Sequence, residues 1–167
     1  MKSPPTMFRR LLFRKSKSSA LLNSKLFCDK SFYSAFINDL KHSRSEVIIE
    51  SPFIANNRTN IMLPIFIKLA KKGVKIRINT RNPKHHDLEL RIQAWQSIKR
   101  LRAAGVKVKF YDDMRHRKLA ILDREVLWEG SLNIMSQSHS KEIMRRTRSK
   151  DLAMQMMRFT SINTWGW

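Results

Sequence analysis

Four side chains in one short part of the sequence could together attack a phosphate diester. His116 and Lys118 lie two residues apart, and Ser131 and Asn133 follow shortly after them. An imidazole can act as nucleophile or base, while an ammonium, a hydroxyl and a carboxamide can hold phosphate oxygens. No cluster with metal-ligand spacing accompanies them. These residue types therefore favour direct attack on phosphorus by histidine.

Two short strands are predicted to bring these side chains together. Residues 116–122 have the pattern of a β-strand, in which alternation places His116 and Lys118 on the same face. Residues 123–125 form a polar turn, and residues 126–130 return as a second strand. The hairpin thus predicts that the hydroxyl and carboxamide after the second strand lie near the imidazole.

The spacing of the polar residues matches a known signature. The pattern His-x-Lys-x4-Asp-x6-Gly-Ser-x-Asn is complete, at His116, Lys118, Asp123, Gly130, Ser131 and Asn133. It resembles the signature of the phospholipase D superfamily. The resemblance extends from about Asp29 to about Phe159, because Gly73 and Gly105 end helices and open strands where the family has similar turns.

The resemblance implies a role for each of four side chains. His116 would attack phosphorus and form a phosphohistidine that water later cleaves. Lys118 would hold a non-bridging phosphate oxygen and stabilise the charge of the transition state. Asn133 would donate a hydrogen bond to the same phosphate, and Ser131 would position the phosphate or the histidine.

Three further residues near the motif have less direct predicted roles. Asp123 falls on the opposite strand face, at the turn, and is interpreted as a structural carboxylate that pins the hairpin. Gly130 is expected to let the backbone pass closely under the ligand. In the family, an acid after the Gly-Ser-x-Asn element orients the histidine through its second nitrogen, and Glu142 is the candidate here. The alternative for Glu142 is an exposed strand residue.

The chain contains only one copy of the motif, although the reaction needs a second group to protonate the leaving oxygen. Family members with one copy form two-fold dimers in which two motifs face each other. The resemblance therefore implies a homodimer with one composite site, in which His116 of the second copy acts as the acid. His85 and His86 could contact substrate instead, although a polar loop is the favoured interpretation of them.

Charge indicates a polyanionic partner. Among 167 residues, 34 Lys and Arg face 13 Asp and Glu, giving a formal net charge of +21 and a pI near 11.0. Nucleic acid is the leading candidate and anionic lipid the second. Trp165 and Trp167 could stack on unpaired bases or pack at a dimer interface. The predicted nucleic-acid contacts are Lys84, Arg115, Arg117, Arg145, Arg146 and Arg148.

The remaining composition favours a cytoplasmic protein with a basic amino-terminal arm. Cys28 is the single cysteine, and no apolar run is long enough to cross a bilayer, so membrane association is not expected. Residues 1–28 contain no acid and are interpreted as a flexible arm, with one domain from 29 to 167. Two alternatives for the arm are contact with phosphates and an Arg-rich transit peptide around residues 7–13, so organellar import stays open.

Periodicity predicts an α/β fold with a mixed, mostly parallel sheet flanked by helices on both faces. The unalternating apolar centre of the first predicted strand indicates burial on both of its faces. Predicted helices cover 29–42, 59 or 60 to 72, 87–104 and 150–159; predicted strands cover 46–50, 74–78, 106–111, 116–122, 126–130 and 142–147.

The leading functional hypothesis is a metal-independent, cofactor-free phosphodiesterase that hydrolyses DNA or RNA with little sequence specificity, since no segment is typical of a base-reading module. A phospholipid phosphodiesterase or phosphatidyl transferase is one alternative. A nucleic-acid-binding module without turnover is the other.

Overall fold

A computed structural model describes residues 23–136 and 139–162, which form seven β-strands and four α-helices. A short 3-10 helix, Pro83–His85, precedes the third α-helix. The strands and helices in chain order are β1 (Ser24–Cys28), α1 (Asp29–Lys41), β2 (Glu46–Glu50), α2 (Asn56–Lys71), β3 (Lys75–Arg81), α3 (Leu88–Ala103), β4 (Lys107–Tyr111), β5 (Leu119–Leu122), β6 (Val126–Gly130), β7 (Ile143–Arg148) and α4 (Lys150–Phe159).

All seven described strands belong to one mixed sheet, in the order β1-β7-β6-β5-β2-β3-β4. The pairs β2–β3 and β3–β4 are parallel, and the other four pairs are antiparallel. The predicted α/β class and mixed sheet are confirmed. The expected predominance of parallel pairs is not found. Parallel pairing is confined to β2–β3 and β3–β4, which are the neighbouring strands joined through whole helices, and the β5–β6 turn is too short for a crossover.

Helices cover both faces of the sheet. Three of them, α1, α2 and α3, pack on one face, where Val47 and Ile49 belong to the larger core cluster. The fourth, α4, packs on the other face against a smaller cluster that includes Ile48 and Ile121. Consecutive residues of β2 therefore point into opposite cores, and every residue of this strand is buried, as its unalternating apolar centre predicts.

The first strand was not predicted. Residues 24–28, which the sequence analysis assigns to the basic arm, pair with β7 from Ser24 opposite Thr147 to Cys28 opposite Ile143. The ring of Phe27 lies 5.0 Å from that of Trp128 and helps to anchor the strand. The strand that holds this segment in the sheet lies more than 100 residues away in the sequence, so a local pattern does not reveal the pairing.

Several predicted boundaries differ from the structure by a few residues. Helix α2 begins at Asn56 rather than at Thr59 or Asn60, and β5 begins at Leu119 rather than at 116. The extents of β2, β6 and α4 are confirmed, and the side chain of Asp87 caps α3 by accepting from the Leu90 N–H at 2.9 Å. The least accurate boundaries thus lie at loops that carry polar residues.

Two groups of sequence predictions concern residues that the structure does not describe. Most of the basic arm, residues 1–22, is outside the described range, and so are Trp165 and Trp167. Among the residues that are described, the longest apolar helical stretch falls short of what a bilayer crossing requires.

Candidate active site

The motif residues meet at one end of the β5–β6 hairpin. His116 and Lys118 immediately precede β5, and Ser131 and Asn133 immediately follow β6. We call this the open end of the hairpin, residues 116–119 and 129–133. Glu50, the last residue of β2, pairs with Leu119. The open end therefore lies at the carboxyl ends of the parallel strands, where α/β sheets bind their ligands.

The side chains of His116 and Lys118 are in direct contact. The Lys118 Nζ atom lies 2.5 Å from His116 Nδ1 and 2.7 Å from the His116 carbonyl oxygen. An ammonium can only donate, so Nδ1 is the acceptor and a neutral ring carries its proton on Nε2. The two side chains share one side of the chain, as alternation predicts, although both precede the strand.

Burial and neighbouring positive charges favour the neutral form of the His116 imidazole. Partial burial lowers its pKa below the ordinary value of 6.5, and the positive charges of Lys118 and Arg81 lower it further. The side chain is nevertheless exposed to solvent. Burial also lowers the pKa of Lys118, which the negative charge of Glu142 partly offsets. The result is an accessible imidazole whose neutral form is favoured, beside a cation.

Ser131 connects the end of β6 to the start of β7. Its hydroxyl accepts from the Ile143 N–H at 3.1 Å, and its own N–H donates to the Ile143 carbonyl at 3.0 Å. The hydroxyl therefore fixes the backbone next to Glu142. In this arrangement the hydroxyl holds protein backbone, and not the phosphate or the histidine as the family resemblance implies.

Glu142 lies near the site but is not brought to the imidazole. Its carboxylate accepts a hydrogen bond from the Ser140 hydroxyl at 2.9 Å, and the described contacts include none between Glu142 and His116. Glu142 acts on the site through its negative charge, which raises the pKa of Lys118. Lys118 occupies the ring nitrogen that the family resemblance assigns to this acid.

Asn133 stands on a rigid backbone. Its neighbours Leu132, Ile134 and Met135 are fully buried, and the Tyr33 hydroxyl donates to the Ile134 carbonyl at 3.0 Å. The Asn133 Oδ1 atom is buried and lacks a hydrogen-bond partner among the described residues. The core thus holds an amide that keeps unused hydrogen-bonding capacity.

Gly130 is required by a close approach to β7. A Cβ at this position would lie 2.2 Å from the Ile143 carbonyl oxygen and 2.9 Å from the Met144 Cα. Both atoms belong to backbone, so they cannot move aside as a flexible side chain could. The constraint therefore comes from the neighbouring strand, and not from a ligand as expected from the sequence.

Asp123 lies at the opposite end of the hairpin, the turn end, residues 122–126. Its carboxylate accepts from the N–H groups of Arg44, Ser45 and Glu46 at 2.8–3.1 Å, and from the Ser45 hydroxyl at 2.9 Å. Burial alone would raise the pKa of Asp123, but these hydrogen bonds outweigh it and the pKa is lowered. Asp123 thus holds the turn against the segment that precedes β2.

Comparison of the sequence with models of protein families identifies the family of this chain. The cardiolipin synthase, PLD-like domain matches residues 36–162, which include the whole site. The chain belongs to the phospholipase D superfamily. Among curated proteins, a sequence search finds no match.

Solved structures show the same fold at low sequence identity. Nuc from Salmonella typhimurium, a phospholipase D family member, is 13% identical with a TM-score of 0.67, covering 81% of this chain and 90% of Nuc. NucT from Helicobacter pylori is 16% identical with a TM-score of 0.64, covering 81% and 91%. TrmBL2, described as an archaeal chromatin protein with a novel mode of DNA binding, is 15% identical with a TM-score of 0.58, covering 84% and 51%.

Around the phospholipase D signature, five of the six predicted nucleic-acid contacts are paired with acids. Arg117 binds the buried carboxylate of Glu50 at 2.6 Å. The other pairs are Arg115 with Asp113 at 2.5 Å, Lys84 with Asp112 at 2.8 Å, Arg146 with Asp39 at 2.6 Å and Arg148 with Glu125 at 3.7 Å. Most of these cations therefore have partners within the protein.

Position separates the six cations further. In the β6–β7 ladder, Arg148 lies opposite Val126 at the turn end, whereas Met144 lies opposite Gly130 at the open end. At about 3.4 Å per residue, the two ends lie roughly 14 Å apart. The structure therefore does not bring Arg146 or Arg148 together with His116. Arg145 has no ion pair among the described residues and lines a groove beside Lys118.

Arg81 is a site residue to which the sequence pattern gave no role. It is the last residue of β3, and its charge acts on His116. Its Nη2 atom contacts the Met114 sulfur at 3.3 Å, and its buried Nε atom has no hydrogen-bond partner in the described chain. Its place in the turn that follows a predicted parallel strand, 74–78, was the signal that could have identified it.

The two histidines before α3 are not part of the His116 cluster. The Nε2 atom of His85 lies 3.1 Å from Asp112. His86 is buried against Phe53, whose ring also meets the His116 ring edge-on at 5.9 Å between centroids. Neither of its ring nitrogens has a hydrogen-bond partner within the described residues. Phe53 thus contacts both imidazoles.

An apolar groove of about 520 Å³ borders the site. Leu26, Ile143 and Phe159 line it and are 65%, 62% and 84% exposed. Arg145 and Lys118 line the same groove. The site therefore combines two cations with an uncovered apolar surface.

Proposed function

We propose that this chain is a metal-independent phosphodiesterase that hydrolyses nucleic acid through a phosphohistidine intermediate. The observation that carries the proposal is the contact between the exposed, neutral His116 imidazole and the Lys118 ammonium within a complete signature. Membership of the phospholipase D superfamily supports phosphodiester chemistry.

The first step begins when phosphate draws the Lys118 ammonium away from His116 Nδ1. The ring can then carry its proton on Nδ1, which frees the Nε2 lone pair to attack phosphorus. A P–N bond forms while the P–O bond to the leaving group breaks, and Lys118 stabilises the charge on the equatorial oxygens. Glu142 is the nearby carboxylate that would accept the Nδ1 hydrogen bond.

The second step returns the enzyme to its starting state. Water attacks the phosphorus of the phosphohistidine, the P–N bond breaks, and the electron pair of that bond returns to Nε2. A general base takes the proton of the water, which is the reverse of its role as acid in the first step. One group therefore protonates the leaving oxygen and later activates the water.

A second copy of the chain would supply that group. Among the described histidines, His85 contacts Asp112 and His86 is buried, so neither stands ready beside His116. A two-fold dimer would place His116 of the second copy opposite the first. The exposed side chains of Leu26, Ile143 and Phe159 beside Lys118 are a surface that such a copy would bury.

Nucleic acid is favoured as substrate by charge. The net charge is +21. Arg81, whose charge acts on His116, and Arg145, which lines the groove with Lys118, have no acidic partner among the described residues. The apolar groove supports a second candidate, a phospholipid whose acyl chain would lie along it. The fold that is shared with the chromatin protein TrmBL2 supports a third, DNA binding without turnover.

A substrate panel tests the proposal. The purified protein would be incubated in excess chelator with plasmid, single-stranded DNA, RNA and vesicles of phosphatidylglycerol. We expect nucleic acid to be cleaved and His116→Asn to abolish cleavage. We also expect an acid-labile phosphohistidine to be detected on the wild-type protein. Hydrolysis of the vesicles alone would establish the lipid activity instead, and binding without cleavage would establish the non-catalytic module.

The shared site has a separate test. Ile143→Glu would place a charge in the apolar groove, and we expect light scattering to show monomers that no longer turn over substrate. Ile61→Glu, at an exposed isoleucine of α2, makes the same substitution away from the groove and should leave the dimer intact. A fully active monomeric wild type would overturn the composite site.

A further inference from the structure

Glu50 is a buried carboxylate directly beneath the motif. It is the last residue of β2 and is only 2% exposed. Arg117 contacts it through Nε at 2.6 Å and Nη2 at 3.0 Å, and the Asn79 amide donates to it at 3.3 Å. A second arginine, Arg115, approaches it to 3.6 Å. A carboxylate this deeply buried persists only where partners compensate its lost hydration.

The two arginines that reach Glu50 stand on either side of His116. Arg115 and Arg117 turn inward to the sheet, so the side chains between and after them, His116 and Lys118, turn outward to solvent. Arg115 is held further by the carboxylate of Asp113, and its guanidinium lies 3.3 Å from the centre of the Tyr111 ring. One buried carboxylate thus ties down both neighbours of the nucleophile.

The backbone around His116 has little other support. Residues 112–118 contain neither helix nor strand, and β5 begins only at Leu119. The first ladder contact near the nucleophile is the Gly130 N–H donating to the Lys118 carbonyl at 3.2 Å. Side-chain ties to the sheet must therefore set where the imidazole stands.

We propose that Glu50 is a positioning residue that holds the His116 imidazole beside Lys118 by anchoring Arg117 and Arg115. The catalytic consequence rests on the phosphodiesterase activity proposed above, but the positioning itself does not. A displacement of about 1 Å at a reacting atom can cost about 100-fold in rate. Loss of the Glu50 charge should therefore lower kcat far more than it changes KM.

Strand β2 contains its own matched control. Glu46 lies at the other end of the same strand, is 5% exposed and pairs with Arg124 at the turn end. Glu46→Gln and Glu50→Gln remove the same charge from the same strand, each opposite an arginine. Only the Glu50 change touches the segment that carries His116.

The experiment compares these two variants by NMR and by kinetics. The His116 imidazole signal, assigned by its loss in His116→Asn, would be followed in protein with ¹³C-labelled histidine. We expect Glu50→Gln to shift this signal and lower its relaxation order parameter, and to reduce kcat for a nucleic-acid substrate about 10- to 100-fold with KM within about threefold. Glu46→Gln should leave the signal and kcat unchanged.

Two further variants keep the test decisive if Glu50→Gln does not fold. Glu50→Asp retains the charge and should recover part of kcat. Arg117→Lys removes the two-point contact by changing its partly exposed partner and not the buried carboxylate. It should shift the His116 signal in the same direction as Glu50→Gln does. An unchanged His116 signal in Glu50→Gln or Arg117→Lys overturns the proposal. A shifted signal in a protein without turnover supports positioning while overturning the phosphodiesterase.

Discussion

The two ends of the β5–β6 hairpin differ in how their charged groups are used. At the turn end, the Asp123 carboxylate accepts hydrogen bonds from three backbone N–H groups and one hydroxyl, and Glu46 binds Arg124. At the open end, His116 is exposed, and an uncovered apolar groove lies beside Lys118. Charge that the fold already satisfies stabilises structure, whereas charge left accessible can act on a ligand.

Two adjacent arginines of β7 repeat this difference. Arg146 donates to the carboxylate of Asp39, which also accepts from the Trp128 indole N–H at 2.9 Å. Arg145 points to the other face of the sheet and lines the groove with Lys118. Neighbouring positions in one strand thus have opposite uses, because alternation sends one inward to an acid and the other outward.

Among the changes that compare the two ends, the largest expected effect comes from removing the Lys118 cation at the open end. Lys118→Met keeps the length and the apolar stem of the side chain but cannot hold a phosphate oxygen. We expect kcat to fall about 10²- to 10³-fold, a typical loss for one group that stabilises transition-state charge. Steady-state cleavage of a chromogenic phosphodiester would measure it.

The control for Lys118→Met is Lys141→Met, a change of an exposed lysine that pairs loosely with Asp29 at 3.8 Å. Both variants should unfold in urea within about 0.5 kcal/mol of the wild type, as surface changes usually do. Equal activity in Lys118→Met and Lys141→Met would remove Lys118 from the reaction.

The turn end should respond in stability and not in activity. Asp123→Ala leaves three backbone N–H groups without the carboxylate that accepts their hydrogen bonds. We therefore expect the free energy of unfolding to fall by about 2–4 kcal/mol. Activity per folded molecule should stay within about threefold. Urea unfolding combined with active-site titration would separate the two quantities.

Glu125→Ala provides the comparison within the same turn. Its exposed pairs with Arg148 and Lys150 should contribute less than about 1 kcal/mol. A large loss of turnover in Asp123→Ala at unchanged stability would mean that the turn end acts in the chemistry, and it would erase the distinction between the two ends.

Local patterns in the sequence predicted the four described helices, six of the seven described strands and the convergence of the motif, because these depend on neighbours within a few residues. Alternation placed His116 and Lys118 together, and Asp87 and Gly105 bounded α3. The partners of the arginines could not be predicted in this way. Arg117 meets Glu50 across 67 residues of sequence, and Arg146 meets Asp39 across 107. Ion pairs formed by tertiary contacts leave no periodic signal.

A smaller effect separates the β7 arginines at the two ends of the hairpin, Arg145 and Arg148, by the salt dependence of nucleic-acid binding. Arg145→Gln should weaken binding and reduce the slope of log K against log salt by about 1, because one phosphate contact is lost. Arg148→Gln, at the turn end, should leave the slope unchanged. Fluorescence anisotropy with a labelled oligonucleotide from 50 to 200 mM salt would measure both. Equal slopes in the two variants would contradict a substrate path past Lys118.

The smallest expected effect is a displacement of the pH profile at the open end. A protonated imidazole has no lone pair for attack, so kcat/KM should fall as pH drops through the His116 pKa. That pKa lies below 6.5 because of burial first, then the charges of Lys118 and Arg81. Arg81→Gln removes one of these charges, so it should raise the His116 pKa and move the acid limb of the kcat/KM profile to higher pH, toward 6.5.

The displacement should shrink at high salt, because screening weakens the field of a partly exposed guanidinium. Arg100→Gln is the control, since the Arg100 guanidinium donates to Asn60 at 2.7 Å between α3 and α2, away from the motif. An acid limb above 6.5 in the wild type would mean that a group other than a neutral His116 limits the rate. An unmoved limb in Arg81→Gln would separate Arg81 from the nucleophile and leave Lys118 as the cation that tunes it.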